Sequence, residues 1–480
     1  MTDPDVSTAD IGFTSAYDLV EGRRAGDFTS VELVSTLLHR IQTIDDCEGG
    51  LKSVLAISTD LMQQAEACDS HDATGLLHGI PVLVKDNIQA IGLPGTAGSL
   101  ALAGRTVTVD AEIVSRLRKA GAIIMGSTNL SEWANIRSEK STSGWSAVGG
   151  LTANPWNYKH SAGGSSSGSG AAVAAGLIPF AVGTETDGSI VCPASLNGVV
   201  GIKPTVGSVS TTGVIPISSS QDVPGPIARS VEDAALLLEV LSGQTGLVDL
   251  CNNDEPLRIG LVRAWLTSDD GANKLFEDSL AKLAGAGIEL VEVVIEEMPE
   301  QAGDDEGVVL FHELVEDLSA YLSSRPGDGV KSLADVVEFN RQNSEIEMAH
   351  FAQEYFDLAL ASGGRNDVYK AARERNLDWA INQVLSPAFA DVDVIIGIPY
   401  APAWVSTLGH GDDFSNAGWM THAPAIAGWP LGSLPMGLVD GLPVGLGVAA
   451  RANDEKGLVR AMAIIERVLD LGDFRPSFIR

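Results

Sequence analysis

The chain has 480 residues, of which 45% are hydrophobic and 52 are glycine, a composition that can bury a large core and excludes a disordered protein. It carries 31 Lys and Arg against 63 Asp and Glu, which gives a formal net charge of −32. A surface this acidic repels phosphate backbones and anionic membranes, so we expect neither nucleic acid nor a membrane among its partners.

The N-terminal segment, the hydrophobicity of the chain and its cysteines indicate the cellular location of the protein. The opening MTDPDVSTAD lacks the basic region and apolar run of a secretory signal, and no stretch approaches the roughly 18–20 apolar residues of a membrane span. Neither a CxxC pair nor a His/Cys metal spacing is present. We therefore expect a cytoplasmic protein with four reduced, isolated thiols: Cys47, Cys68, Cys192 and Cys251.

Predicted helices and strands alternate along the chain. A capping box at Thr29 and Glu32 begins the first clear helix. The run GIPVLVKDN, residues 79–87, predicts a buried strand that ends at Lys85. Further predicted helices cover 110–121, roughly 169–176, 230–243 and 455–469, and further strands cover 122–126, 178–183, 257–262, 289–295, 392–399 and 441–450. This alternation predicts an α/β protein with a central sheet.

The segment 161–176, SAGGSSSGSGAAVAAG, resembles a flexible linker in composition only. A Gly/Ser linker joins independent units, whereas this segment lies inside one continuous α/β pattern. A phosphate-binding loop is also rejected, because Ser169 and Gly170 stand where such a loop needs Lys and Ser or Thr.

The same segment contains GSSSG over 164–168, which matches the G-x-S-x-G nucleophile pattern with Ser166 at its centre. A late histidine, His410 or His422, would then act as the base. Such a turn directly follows a strand, and the preceding NPWNYKHSA consists of turn-forming and polar residues that do not predict one. A nucleophile at Ser166 is therefore disfavoured.

Three other features combine more convincingly: Lys85 at a strand end, Ser165 in the Gly/Ser loop, and Ser189 in a second tight turn, GTETDGSI. In this order they resemble the amidase signature family. The resemblance covers nearly the whole chain, through GIPVLVKDN, GSTNLSEWAN, NPWNYKHSAGGSSSGSGAAVAAG, GTETDGSIVCPASLNGVVGIKPTVGSVS and GLPVGLGVAARANDEKGL. Within the family, SGWSAVGG, GTETDGSIVCP and GVIPISSSQDVPGPIARS look most similar to the bacterial peptide amidases.

The resemblance implies an α/β fold over 1–480: a single large domain with a central mixed β-sheet flanked by α-helices on both faces. The catalytic signature core would span 75–240. Residues 300–385 are predicted to form a mainly helical insertion or flanking layer, because strand patterns resume after them. Residues 390–470 would then return to the core with strands and a closing helix.

The resemblance also implies a Ser–Ser–Lys triad. Its base falls on Lys85, its bridging serine, which the family holds on a cis peptide bond, on Ser165, and its nucleophile on Ser189. The backbone N–H groups of the family's oxyanion hole fall on Thr186, Asp187, Gly188 and Ser189.

The chemistry explains why such a triad needs burial. A lysine has a pKa near 10.4. Desolvation must lower this pKa to about 7–8 before the lysine can act as a base near neutrality. The apolar PVLV before Lys85 can supply that burial. Ser165 would donate to Lys85 while accepting a proton from Ser189, which would attack the amide carbonyl.

We therefore expect an amidohydrolase without metal or cofactor that converts C-terminal peptide amides to the acid and ammonia. A broader amidase for small aliphatic or aryl amides, carbamates or esters is one alternative. The glutaminase subunit of a tRNA-dependent amidotransferase is another. The expected partner is a small-molecule or peptide amide, and a homodimer is left open.

Several residues near these motifs have two interpretations. Asp187 would line the pocket or be a solvated turn former. Trp133 and Trp145 would form a substrate wall or pack in the core. Cys192, three residues after Ser189, is interpreted as a buried, inert thiol.

Overall fold

The computed structural model describes residues 11–71, 75–105, 107–296 and 298–477. Its strands, in chain order, are β1 (Val54–Ile57), β2 (Pro81–Lys85), β3 (Ile123–Thr128), β4 (Trp145–Ser146), β5 (Gly150–Leu151), β6 (Ala153–Asn154), β7 (Asn157–Ser161), β8 (Phe180–Glu185), β9 (Val200–Lys203), β10 (Val223–Ala228), β11 (Arg258–Val262), β12 (Glu289–Val293), β13 (Val394–Gly397), β14 (Leu431–Val439) and β15 (Leu442–Ala449).

Among the described residues, eleven strands form one mixed sheet in the order β1-β3-β2-β8-β10-β9-β14-β15-β13-β11-β12. Strand β2 lies parallel to both β3 and β8, whereas β8 and β10 run antiparallel. The short pairs β4–β5 and β6–β7 stand apart from this sheet. Strand β2 therefore has a neighbour on each side, which places its last residue, Lys85, in the interior.

Helices flank the sheet. In chain order they are α1 (Ala16–Ala25), α2 (Ser30–Arg40), α3 (Leu61–Asp69), α4 (Glu112–Lys119), α5 (Ser167–Ala174), α6 (Val191–Asn197), α7 (Val231–Ser242), α8 (Leu247–Leu250), α9 (Asp270–Gly285), α10 (Glu300–Ser324), α11 (Leu333–Gln342), α12 (Ser344–Glu347), α13 (Glu354–Ser362), α14 (Asp367–Leu377), α15 (Ser386–Ala388), α16 (His422–Ala427) and α17 (Glu455–Leu469). Segments Ile41–Asp45 and Asp378–Leu385 are π-helical, and Glu132–Asn135 and Arg263–Trp265 are short 3₁₀ turns.

The predicted α/β class is confirmed, and so are the local signals behind it. Thr29 Oγ1 accepts a hydrogen bond from the Glu32 amide at 3.1 Å, and the Glu32 carboxylate accepts from the Thr29 amide at 2.8 Å. This is the reciprocal pair that a capping box requires. The strand predicted to end at Lys85 and the closing helix α17 are also present.

Three central strands, β9, β10 and β14, are not predicted by the sequence pattern, and the last two contain proline. In β10, Pro224 and Pro226 pair with β8 alone, because β9 pairs with β10 only at Ile227 and Ala228. In β14, the register shifts next to Pro435. A proline lacks a backbone N–H, so it fits where one side of the strand is unpaired or where a bulge interrupts the ladder.

The expectation that no strand precedes the GSSSG segment is wrong. Residues Asn157–Ser161 form β7, which pairs with Ala153–Asn154. This strand is not predicted because three of its five residues are exposed and polar side chains dominate it, so the usual alternation of apolar residues is absent.

The helical region after residue 300 packs against apolar residues that lie between positions 97 and 215 of the chain. Leu314, Leu318 and Leu322 of α10 share a buried cluster with Trp133 and Phe356. Within the described residues, no helix is both long enough and apolar enough to cross a membrane.

Candidate active site

Lys85 is held at the end of β2 with no solvent exposure. Its Nζ lies 2.7 Å from Ser165 Oγ and 2.9 Å from Thr184 Oγ1, and it also donates to the Thr184 carbonyl at 3.2 Å. Asn87 donates to the same Thr184 hydroxyl at 3.0 Å. The amine therefore faces two hydroxyl groups, each of which can donate or accept a proton.

Burial lowers the pKa of Lys85 to about 7, although the charges of Asp222 and Glu185 oppose the shift. Moving an ammonium group out of water is unfavourable, and no carboxylate among the described residues forms an ion pair with Lys85 within 4.0 Å. A substantial fraction of Lys85 is consequently uncharged at neutral pH, which is the state that a general base requires.

Ser165 lies in the loop before α5 and is fully buried. The peptide bond between Gly164 and Ser165 is cis. A Cβ at residue 164 would overlap the hydroxyls of Ser131 and Ser143, so a glycine is required for the close approach of these chain segments. The Ser165 carbonyl accepts from the Ser131 amide at 3.1 Å and fixes the other side of the loop.

Ser189 lies in the turn between β8 and α6 and is 9% exposed. The carboxylate of Glu185 accepts from the amides of Ile190 and Val191 at 2.7 and 2.9 Å, and so ties the start of α6 to the end of β8. The Ser189 carbonyl accepts from the Ser166 amide at 3.1 Å. These bonds place the Ser189 turn directly against the Gly/Ser loop.

The backbone N–H groups of residues 186–189 donate no hydrogen bond to any described part of the chain. Such unpaired donors are uncommon in a protein interior, and four in succession suit a developing negative charge. Gly188 has φ 74°, and a Cβ there would overlap the Tyr400 hydroxyl. A glycine at this position therefore allows the turn that presents the amides.

The structure brings Lys85, Ser165 and the Ser189 turn together. Among the described hydrogen bonds, the Lys85–Ser165 link is formed, whereas none joins the hydroxyls of Ser165 and Ser189. Catalytic hydrogen bonds are often long in a substrate-free enzyme and shorten when substrate binds.

Ser166 has no base beside it. Its hydroxyl donates to the Thr184 carbonyl at 3.1 Å and accepts from the Thr184 amide at 3.2 Å. No described histidine hydrogen bonds to Ser166, and His422 contacts Asp187 instead. The geometry therefore argues against a nucleophile at Ser166, even though a strand does precede it.

Asp187 is neither a solvated turn former nor a free carboxylate. Its Oδ2 accepts from His422 Nδ1 in a direct ion pair, and only 14% of the side chain is exposed. Glu306 Oε2 lies 3.9 Å from the same histidine nitrogen. This group is not predicted from the sequence, because its three members come from the Ser189 turn, α10 and α16, which are far apart in the chain.

Asp187, Glu306 and His422 are also the group of described side chains whose spacing could suit a metal ion, since their ligand atoms lie within 4.8 Å of one another. The direct contact between His422 Nδ1 and Asp187 Oδ2, however, leaves no space for an ion between those two atoms. In this arrangement the group is an ion pair with a neighbouring carboxyl.

The two tryptophans pack in the interior. Trp133 is 3% exposed and meets Phe356 edge-on at 5.8 Å, and Trp145 is 6% exposed and meets Phe351 at 5.1 Å. Cys192 is 2% exposed, and burial raises the pKa of its thiol. The core-packing and buried-thiol interpretations therefore hold.

Comparisons with known proteins show to which family this chain is similar. The family model for amidases matches residues 32–459. The native peptide amidase of Stenotrophomonas maltophilia is similar at 38% identity and a TM-score of 0.90, over 99% of each chain. Mandelamide hydrolase of Pseudomonas putida is 32% identical over 96% of this chain and 92% of its own. A glutamyl-tRNA(Gln) amidotransferase subunit of Paenarthrobacter aurescens is 34% identical over 95% of this chain and 92% of its own.

Proposed function

This chain belongs to the amidase family, and from that premise we propose that it hydrolyses C-terminal peptide amides to the acid and ammonia. The observation that carries the proposed mechanism is the Nζ of Lys85, fully buried and 2.7 Å from Ser165 Oγ. A lysine in this setting can take a proton, and the Ser189 turn is beside it to supply the nucleophile.

In the first step, uncharged Lys85 takes a proton from the Ser165 hydroxyl, which takes one from Ser189. The Ser189 Oγ forms a bond to the amide carbon, and the carbonyl π electrons move onto oxygen. The unpaired N–H groups of residues 186–189 would stabilise this oxyanion. One such donor is typically worth about 10²–10³ in rate.

In the second step, the intermediate collapses to an acyl-enzyme. The C–N bond breaks, and the departing nitrogen takes the proton that returns from Lys85 through Ser165, so that ammonia leaves. A water molecule then attacks the ester carbon by the same proton route. This releases the carboxylic acid and restores the Ser189 hydroxyl.

Two observations support a peptide amide over a small amide. The similarity to the S. maltophilia peptide amidase covers 99% of both chains at 38% identity. A cavity of about 460 Å³ also has Tyr400, Trp404 and Phe414 in its wall, and the Tyr400 hydroxyl lies next to Gly188 of the Ser189 turn. This volume falls within the usual range for ligand sites, and its aromatic walls suit the side chains of a peptide.

The variant Ser189→Ala tests the nucleophile. We expect ammonia release to fall at least about 10⁴-fold, because no other hydroxyl would be placed to form the acyl-enzyme. Ser323→Ala changes an exposed serine of α10 and serves as the matched control. Substantial turnover by Ser189→Ala with unchanged folding would remove Ser189 from this role.

The substrate is tested by ammonia release from peptide amides, amino-acid amides, small aliphatic and aryl amides, and glutamine. We expect the highest kcat/KM on peptide amides. Activity on glutamine alone would contradict this choice and favour the glutaminase function of the amidotransferase subunits. A preference for small aryl amides would instead keep the amidase and change its substrate.

A further inference from the structure

The residues that surround the Ser189 turn include one group with no role in the proton route: the ion pair of His422 with Asp187. We propose that His422 is a positioning residue for amide hydrolysis, acting through Asp187 to fix the backbone N–H groups of residues 186–189. This inference rests on the proposed function of that turn as the oxyanion hole.

Asp187 is itself part of the Ser189 turn. It lies between Thr186 and Gly188, so its backbone is part of the set of unpaired amides. Its side chain points to α16, where it meets Nδ1 of His422, the first residue of that helix. A rotation of the backbone at residue 187 would pull the carboxylate away from the histidine. The ion pair therefore opposes the motion that would misalign the amides.

Thr186 is also held by side chains from outside the turn. Its hydroxyl donates to Asp222 Oδ1 at 2.6 Å, and its carbonyl accepts from Gln221 Nε2 at 3.4 Å. Gln221 also donates to Glu306 at 2.8 Å, which links it to the histidine group. The side chains and carbonyl of the turn are thus engaged with the surrounding protein, while its amides stay available for substrate.

Fixed donors stabilise an oxyanion because they need no reorganisation during the reaction. The ion pair is mostly removed from water, with 18% of the His422 side chain exposed, so it is screened less than a surface pair. A turn without this pair would remain in place through Glu185 but would sample orientations in which some amides point away.

The charges around His422 set the pH range of the effect. Burial opposes a charged imidazole, but Asp187 and then Glu306 outweigh burial and raise the pKa of His422 to about 9. Burial likewise opposes the Asp187 carboxylate, and the His422 charge outweighs it and lowers the pKa of Asp187. The raised histidine pKa means that the ion pair is complete near neutrality and is lost as the pH rises through about 9.

The other charged groups act on the two carboxylates. Burial and the Asp187 charge raise the pKa of Glu306 to about 7, while His422 and Arg373 of α14 oppose the shift. Lys203 at the end of β9 favours the charged form of Asp187. The ring of Trp419 lies 5.1 Å from the imidazole and adds no charge. None of these groups replaces the His422 contact with the turn.

The test compares His422→Ala and His422→Asn with His312→Ala. Asparagine keeps a side-chain N–H close to the position of Nδ1 but carries no charge, so it separates geometry from ion pairing. His312 is a buried histidine of α10 that bonds the Val308 carbonyl and makes no contact with the turn, which makes it the matched control.

We expect kcat on a peptide amide to fall about 10–100-fold in His422→Ala, with KM changed less than about threefold. His422→Asn should retain more of kcat than His422→Ala. The wild type should lose kcat above pH 9, and this alkaline loss should be absent in His422→Asn. Added imidazole should partly restore kcat in His422→Ala, which no general loss of folding would allow.

The outcomes distinguish this inference from the proposed function. If the wild type hydrolyses peptide amides and His422→Ala matches it in kcat and pH profile, the positioning role is overturned. An equal loss in His312→Ala would also overturn it. If the wild type releases no ammonia from any amide, the proposed function itself fails. Activation of chelator-treated wild type by Zn²⁺, absent in His422→Asn, would assign the group to a metal and overturn the positioning role.

Discussion

Two lysines each end a strand of the same sheet, and the contrast between them explains the site. Lys85 is the last residue of β2, and Lys203 is the last residue of β9; both are fully buried. Burial lowers the pKa of Lys85 to about 7 and that of Lys203 to about 8. The two lysines therefore have similar positions at a strand end, the same burial and similar pKa values.

Their partners differ. Lys203 Nζ donates to the carbonyls of Trp429 and Pro204, at 2.8 and 3.3 Å, and nearby carboxylates partly oppose its loss of charge. Carbonyls only accept hydrogen bonds, so they favour the charged amine. Lys85 also donates to one carbonyl, that of Thr184, but its two shorter contacts are with the hydroxyls of Ser165 and Thr184, which can give up a proton or receive one. A buried lysine thus becomes a base through the groups it contacts, and burial alone does not suffice.

The same substitution at each lysine should have its most different effect on enzymatic activity. We expect Lys85→Met to lower kcat about 10²–10⁴-fold, the usual contribution of a positioned general base. Lys203→Met should keep kcat within about tenfold, because Lys203 does not contact the proton route. Steady-state ammonia release measures both. Equal losses of kcat in the two variants would contradict the assignment of Lys85, and not Lys203, as the base.

Stability should show the opposite order. Lys203→Met leaves the buried charges of Glu185 and Glu455 less compensated, and its two carbonyl partners lose a donor. We expect a loss of about 1–3 kcal/mol in unfolding free energy, the usual cost of leaving a buried hydrogen-bond acceptor without its donor. Lys85→Met should cost less, since it removes an amine whose charging burial already opposes. Urea denaturation at pH 8 gives both values; a larger loss in Lys85→Met would contradict this ordering.

The smallest effect is expected in the pH profile. In the wild type, kcat/KM should fall about tenfold per pH unit below about 7, because protonation removes the base Lys85. The same acid limb should appear in Lys203→Met, shifted by less than about half a unit, since Lys203 is not among the charges that set the Lys85 pKa. If Lys203→Met removed or strongly shifted the acid limb, Lys203 and not Lys85 would be assigned as the base.

The two lysines also show what sequence can predict here. An apolar run that ends in a charge places Lys85 at the end of a buried strand, and the motif resemblance assigns its role. Lys203 ends a similar run, VGIK, yet β9 is not predicted, because it has only four residues and Gly201 interrupts its apolar run. Its neighbours β10 and β14 are not predicted because they contain prolines. Local pattern is reliable where a strand is regular and fails where the sheet tolerates prolines.

The surroundings of the site are harder to predict than its centre. Lys85, Ser165 and the Ser189 turn lie in contiguous motifs that can be recognised locally. Tyr400 and His422 reach the turn from elements more than 200 residues away, and their contacts depend on how α16 and the preceding loop fold back. A histidine or tyrosine in an ordinary helix or loop carries no local signal of such a contact.

The proposed mechanism requires a largely uncharged Lys85 near neutrality, and titration of this residue by NMR measures its charge. In protein labelled with ¹³Cε-lysine, the signal absent from Lys85→Met should titrate with a midpoint of about 7, and the signal absent from Lys203→Met with a midpoint of about 8. A Lys85 signal that keeps the shift of a charged amine up to pH 10 would contradict the account.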